Sequence, residues 1–392
     1  MTSTRDRDFD LVIFGATGFT GELTAAYLAQ NAPDDLRWAL VGRNQAKLEA
    51  VRDRLADIDA ELKTLPILIA DAADQASLAA VAERARVVIT TVGPYLEYGA
   101  PLVAACAAAG TDYVDLTGES EFVDRMYVEH HATAVASGAR IVHACGFDSI
   151  PHDLGAYFTM KQLQPTGPVE MRGVVRSNGT FSGGTFATAM EGMARMRQAQ
   201  AAFKARLKAQ PASQGRSSRA VSGKPGRDSV LGVYLLPLPT VDPQVVARSG
   251  AALTSYGPKF RYSHFAGVKT LRMAVGGVAG LGALFAAAQV PPLRKRIKAR
   301  VPQGTGPSET KRARSWFSVD FIASSEGRSV HTKVSGGDPG YGETSKMLAE
   351  SALCLAFDDN PATAGSVTTA VAMGDRLIDR LQAAGITFEV VD

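Results

Sequence analysis

The sequence predicts an α/β protein, a doubly wound and mostly parallel sheet at the N-terminus followed by a second α+β domain. Three observations carry this. Between Phe9 and Lys161 short β-branched runs alternate with Ala- and Leu-rich stretches of helical length, the rhythm of stacked βα units. A glycine-rich turn directly follows the first run and opens the first helix. After Gln164 the rhythm breaks, and later β-branched runs flank tight turns as in an antiparallel sheet.

Element by element, strands are expected at Phe9 to Phe14, Arg37 to Val41, Pro66 to Ala70, Val87 to Val92, Tyr113 to Leu116 and Arg140 to Ala144. Helices such as Gly99 to Ala109, apolar on most of their surface, pack between them. This first domain spans residues 1–150 and the second 151–361, leaving 362–392 as a tail whose helix returns toward the first domain. In the second domain a strand from Glu170 to Arg176 precedes a helix from Gly184 to about Leu207. Residues 210–229, rich in Ser, Gly, Pro and Arg, read as a mobile loop with almost nothing to bury. Trp316 to Ala323 and Ser329 to Val334 flank Ser325-Glu326-Gly327 as a hairpin. The last helix, Thr368 to Ala384, stops at Gly385.

Composition narrows the class. With 392 residues, 46% hydrophobic and 21% charged, the chain buries a full core, which excludes wholesale disorder. Forty-two Lys and Arg against 39 Asp and Glu leave a net charge of +3, too little for a nucleic-acid partner. Cys106, Cys145 and Cys354 are odd in number and far apart, so neither a disulfide scaffold nor a zinc site is expected. The six histidines make no H-E-x-x-H or comparable pair, and no metal is implied. No G-x-S-x-G elbow or Walker loop is present. The N-terminus has no apolar h-region ahead of its first strand, and a cytoplasmic protein is expected.

Gly15-Ala16-Thr17-Gly18-Phe19-Thr20-Gly21 has the strand–turn–helix context of a Rossmann dinucleotide loop. Gly15 and Gly18 admit a tight turn and the approach of a pyrophosphate, whose charge the helix N-terminus favours. Gly21 lets the helix sit close to the sheet. An NAD site usually carries Asp or Glu at the end of the second strand; here the run is Val41-Gly42-Arg43-Asn44, with Lys47 one turn on. Arg43 and Lys47 would meet a 2′-phosphate with positive charge, which favours NADP(H), unless both are simply solvated helix-start residues. Asp71 either accepts from the adenine amine or caps the next helix. Val92-Gly93-Pro94 then shapes the wall beside the nicotinamide, and Tyr95 could supply a phenol to a substrate.

Further along, Asp115, Thr117 and Glu119 either orient a substrate or cap a strand-to-helix junction. Asp148 and Ser149 lie at the domain junction, placed to touch cofactor or substrate, or to start a helix at Pro151. Tyr157 and Lys161 have the spacing of a short-chain dehydrogenase pair, but a packed helix residue is the default for Tyr157. Residues 273–290 are free of charge for 18 positions and precede Arg294-Lys295-Arg296, which suits a core or dimer helix, or a helix lying on an anionic membrane through 273–298.

The strings GATGFTG, VGPYLEYG, DYVDLTGE, CGFDSIPHDLG and GGDPGYGETSKMLAE, in that order, resemble the saccharopine dehydrogenase-like oxidoreductases over most of the chain. With QGTGPSETKRARSWF, the pattern is most similar to the actinobacterial trans-acting enoyl reductase branch. The resemblance implies a Rossmann domain followed by an α+β domain, phosphate contacts at Gly15, Thr17, Gly18 and Phe19, and a nicotinamide wall at Gly93, Pro94 and Tyr95. It also implies an NADPH-dependent enoyl reductase acting on an α,β-unsaturated acyl intermediate carried by a polyketide synthase, in biosynthesis of phthiocerol or phenolic glycolipid type lipids. On that reading Tyr95 or a water gives the proton. The alternatives are a reductase of a carbonyl or imine in a small metabolite, and a non-catalytic NADP-binding scaffold at a membrane. A homodimer is open.

Overall fold

The computed structural model describes residues 7–179, 183–211, 215–299 and 307–391. Among these, the strands form two sheets. The first is parallel and built from β1 (Phe9–Phe14), β2 (Trp38–Gly42), β3 (Ile67–Ile69), β4 (Ala85–Thr90), β5 (Asp112–Asp115) and β6 (Arg140–Val142). The second gathers β7 (Val169–Ser177), β8 (Ser217–Ala220), β9 (Gly226–Arg227), β10 (Tyr234–Pro237), β11 (Lys259–Val268), β12 (Phe317–Ser325) and β13 (Arg328–Gly336). Near the C-terminus, β14 (Gly365–Val367) returns to the first sheet and β15 (Thr387–Val390) completes the second.

The first sheet has the order β14-β6-β5-β4-β1-β2-β3, so the direction of winding reverses between β1 and β4. That reversal opens a crevice at the carboxyl ends of the two strands. Alternation along β1 sends Leu11 and Ile13 to one face and Val12 and Phe14 to the other. Helices 75–84, 100–109 and 120–137 cover the second face with Leu78, Leu102, Val103, Phe122 and Met126. Helices 19–31 and 45–56 cover only the β1–β3 half of the first face. The β4–β5 half is closed by helix Gly342–Phe357, which buries Met347, Leu348, Ala352 and Leu353 there. This helix sits in the 151–361 span but packs on the first sheet, because the β4 and β5 crossovers both lie on the other face. Arg140 donates from Nη2 to the Leu355 carbonyl at 2.9 Å and Arg86 donates to that of Ala356, which sets cations at the helix's negative end.

The second sheet is mixed: β7 runs parallel to β11 and antiparallel to β12. Helix Ile150–Leu163 lies across β12 and β13, so closely that a Cβ at Gly155 would overlap the Phe321 ring.

Three segments differ from the sequence expectation. The helix expected from Gly184 to Leu207 is two, Gly183–Ala194 and Met196–Ala209, and Arg195 at the break pairs with Glu121 at 2.6 Å. The break lets the second half dock on helix 120–137 while the first lies elsewhere. Within the expected loop 210–229, of which 212–214 lie outside the described residues, β8 pairs with β11 and β9 with β10. Edge pairing uses backbone groups, so Ser and Arg serve there without a core to fill. The last helix is interrupted at Met373, giving Thr369–Ala372 and Gly374–Ala383, with Gly385 at φ +90° beyond it.

Candidate active site

The crevice at the β1/β4 switch point starts with Gly15. Its φ is +94°, and a Cβ there would stand 2.7 Å from Val92 Cγ2, so only glycine fits. Gly18 N–H donates back to the Gly15 carbonyl at 3.0 Å, and Thr91 Oγ1 donates to the same oxygen at 3.1 Å. Gly18 then starts helix Phe19–Asn31, whose first-turn N–H groups have no acceptor within the helix and face the crevice mouth. Ala16 is buried under the turn, whereas Thr17 and Gly18 are exposed. A Cβ at Gly21 would collide with the Gly15 carbonyl, so helix and turn are in direct contact. Phe19 stacks edge-on against Tyr341 at 4.9 Å and lies under the Arg312 guanidinium at 5.6 Å, which brings the second half of the chain onto the loop.

At the end of β2, Arg43 and Lys47 are exposed. Asn44 is committed to the backbone: its Oδ1 accepts from Lys47 N–H at 3.0 Å and caps helix Gln45–Ala56. Asp71 accepts from Ala73 N–H at 3.0 Å, and the next helix is capped by Asp74, not by Asp71. A cradle that a Cβ would fill, a helix N-terminus behind it and exposed cations in place of an acidic residue fit a dinucleotide with a 2′-phosphate.

Three loops meet beyond the loop's nicotinamide end. Gly93 and Pro94, joined by a cis peptide bond, are exposed after β4. Tyr95, considered from sequence as a proton donor, is turned inward. Its hydroxyl donates to the Thr90 carbonyl and accepts from Leu116 N–H, each at 3.1 Å, and burial pushes its pKa up. The phenol is a strut between two loops, and its proton is already engaged. Glu119 accepts from Tyr95 N–H at 3.0 Å and Leu96 N–H at 2.8 Å, again a cap. Asp115 is fully buried and accepts from Tyr113, Thr117 N–H and Ala144 N–H, with His143 Nδ1 at 2.6 Å. The acidic groups of this strand end therefore hold the loops in place.

Asp148 is different. It is partly open, and a Cβ at Gly118 would meet its Oδ2 at 3.5 Å, with Thr188 of helix 183–194 equally near. Burial, and then the charge of Asp242, push its pKa up to about 7. Ser149 is fully buried at the start of helix 150–163, its hydroxyl without a partner among the described residues. Behind Asp148, His152, Asp242 and His264 bring their polar atoms within 4.8 Å of one another, a grouping able to hold a small cation that spacing in sequence did not suggest. Burial lowers both imidazoles to about 3, and Tyr262 shares a hydrogen bond with His264 Nδ1 at 2.9 Å. Tyr157 and Lys161 point instead to Asp375 of the last helix, at 3.4 and 2.6 Å. Cys145 is buried and its thiol pushed up, which leaves it inert.

The structure brings Gly15, Gly18 and the Gly93-Pro94 turn, all singled out from sequence, to the same crevice. Asp242, His264 and Thr188 carry no local motif and join the site only through the fold, while Arg312 and Tyr341 lie within strings that marked the family resemblance but not a site.

The saccharopine dehydrogenase NADP-binding domain matches residues 11–142, and the cofactor is NADP(H). A Mycobacterium tuberculosis (strain ATCC 25618 / H37Rv) protein assigned as a trans-acting enoyl reductase is 40% identical over 421 residues, covering 99% of both chains. The trans-acting enoyl reductase of Mycobacterium ulcerans (strain Agy99) is 36% identical over 419 residues, covering 98% of both. In fold, the chain is similar to saccharopine dehydrogenase (L-Glu forming) from Saccharomyces cerevisiae, with a TM-score of 0.58 at 11% identity over 98% of this chain and 100% of that one. A glycine loop that only glycine can build, cations where an acid would select NAD, and full-length identity at this level converge: the chain is an NADP-dependent oxidoreductase and belongs to the saccharopine dehydrogenase-like family, in the branch of the trans-acting enoyl reductases.

Proposed function

We propose that this protein reduces the α,β-double bond of an acyl group carried by a separate polyketide synthase, with NADPH as reductant. Bound NADPH supplies the hydride for the β-carbon. The chain's own part is to align the acyl group at the Gly93-Pro94 wall and to give a proton to the α-carbon.

The observation that carries this reading is Asp148, a half-buried residue whose carboxyl lies beside Gly118 and Thr188 and whose pKa burial, and then the charge of Asp242, push up to about 7, favouring the protonated acid. A neutral acid suits an enolate that needs a proton. Exposed Arg43 and Lys47 hold the 2′-phosphate, while Gly15, Thr17, Gly18, Phe19 and Thr20 receive the pyrophosphate. The full-length relatives named for trans-acting enoyl reduction support the CH–CH substrate.

The test is transfer of deuterium from 4-deuterated NADPH, both faces tried, to the β-carbon of a long-chain enoyl thioester, read by mass spectrometry. Deuterium at that carbon is the expected result. With NADPH bound and chain length varied, its absence overturns the reading.

A further inference from the structure

Helix Leu271–Ala288 is 18 residues long, apolar enough to cross a membrane by length and composition, and only 11% of it is buried. Leu271, Val275, Val278 and Phe285 recur at i, i+4, i+7 and i+14 and are between 41% and 62% exposed, forming one apolar stripe. Leu281 borders it, and Val290 and Leu293 extend it past the helix end. A soluble surface seldom leaves so many large apolar side chains together. Between 271 and 298 the sequence has five cations, Arg272, Arg294, Lys295, Arg296 and Lys298, and no Asp or Glu.

We propose that helices Leu271–Ala288 and Pro291–Lys298 form a docking surface for an anionic lipid bilayer, lying flat in its headgroup region. The apolar stripe enters the acyl boundary while the cations meet lipid phosphates. A spanning orientation does not fit, since the helix is only about 27 Å long and tied to the protein along its length. Gly277 rests against Leu236, Gln289 donates to the Met193 carbonyl at 2.8 Å, and Arg294 faces Glu191 at 3.9 Å. A second copy on this face fits poorly too, because residues 271–298 offer no Asp or Glu to meet the five cations that the same segment of the copy would bring.

The surface is joined to the crevice. Helix Gly183–Ala194 packs along Leu271–Ala288 and carries Thr188 to the edge of Gly118, beside Asp148. An acyl chain leaving the bilayer meets this helix on its way to the carboxyl. Docking does not depend on the enoyl substrate, so its failure would leave the proposed reaction untouched.

The experiment is flotation of the full-length protein with vesicles of pure phosphatidylcholine or of an equimolar mixture with phosphatidylglycerol. Wild type should float with the anionic vesicles at least about tenfold better than with the neutral ones, and added salt should release it. Val278→Glu with Phe285→Glu, and separately Lys295→Glu with Arg296→Glu, should each lower binding at least about tenfold while NADPH affinity and the circular dichroism spectrum stay unchanged. Three results would overturn the proposal: wild type failing to float with anionic vesicles, folded variants floating as wild type does, or the apolar pair converting a dimer to a monomer in sedimentation velocity without altering vesicle binding.

Discussion

Tyr95 and Asp148 show how one carboxyl-end crevice divides its labour. Tyr95→Phe removes a hydroxyl that bridges Thr90 and Leu116, so it should cost about 1–2 kcal/mol in urea unfolding and leave turnover within about threefold. Asp148→Asn should do the reverse, lowering kcat about 100- to 1,000-fold with NADPH affinity retained. Because the protonated carboxyl is the active form, the wild-type rate should fall as pH rises past about 7, and the variant should lose that limb. Stability carries the same sign. Between the ordinary carboxylate pKa and about 7 the folded chain keeps a proton that the unfolded chain releases, so rising pH destabilises wild type across that window. Unfolding at pH 5 and pH 8 should show the slope in wild type and a smaller one in Asp148→Asn. Arg43→Ala should cut the preference for NADPH over NADH at least about tenfold, read as the ratio of their kcat/KM values.

Among the elements, helix Ile150–Leu163 is the joint. Asp153 on its first turn is fully buried and accepts from Ser249 Oγ at 2.5 Å, Thr369 Oγ1 at 2.7 Å and Ala370 N–H at 2.8 Å. One carboxylate thereby binds helix Asp242–Ala252, the segment after β14 and the domain junction. Asp153→Ala strands three donors and should cost about 3 kcal/mol, seen as a lower urea midpoint with unchanged slope. The glycine-loop helix was legible because the Gly15, Gly18 and Gly21 spacing stands between a strand and a helix, with Gly15 at φ +94° and Gly21 pressed against the Gly15 carbonyl. The two-part helix 183–209 was not, because its break at Arg195 answers Glu121, 74 positions away. Strands β8 and β9 hid in a Ser- and Arg-rich stretch, since edge pairing leaves no hydrophobic period to read.

At the scale of the whole molecule, the C-terminal tail is shared between the sheets: β14 extends the first beside β6, and β15 closes the second beside β13. Truncation after residue 361 should therefore abolish cooperative unfolding of both halves, checked by circular dichroism melting and loss of NADPH binding. The amino-acid sequence by itself determined the Rossmann half, its phosphate loop and the NADP(H) preference, because βα periodicity, glycine spacing and the residue ending β2 are local properties. Tertiary structure alone decided which polar residues are free to act. Tyr95, Glu119 and Asn44 carry reactive-looking groups that long-range or capping hydrogen bonds consume, whereas Asp148 is half-buried beside Gly118 and Thr188 and draws its raised pKa from burial and from Asp242. The reason is physical: a motif specifies which donors and acceptors a chain owns, but desolvation and partnership depend on what distant segments fold against them.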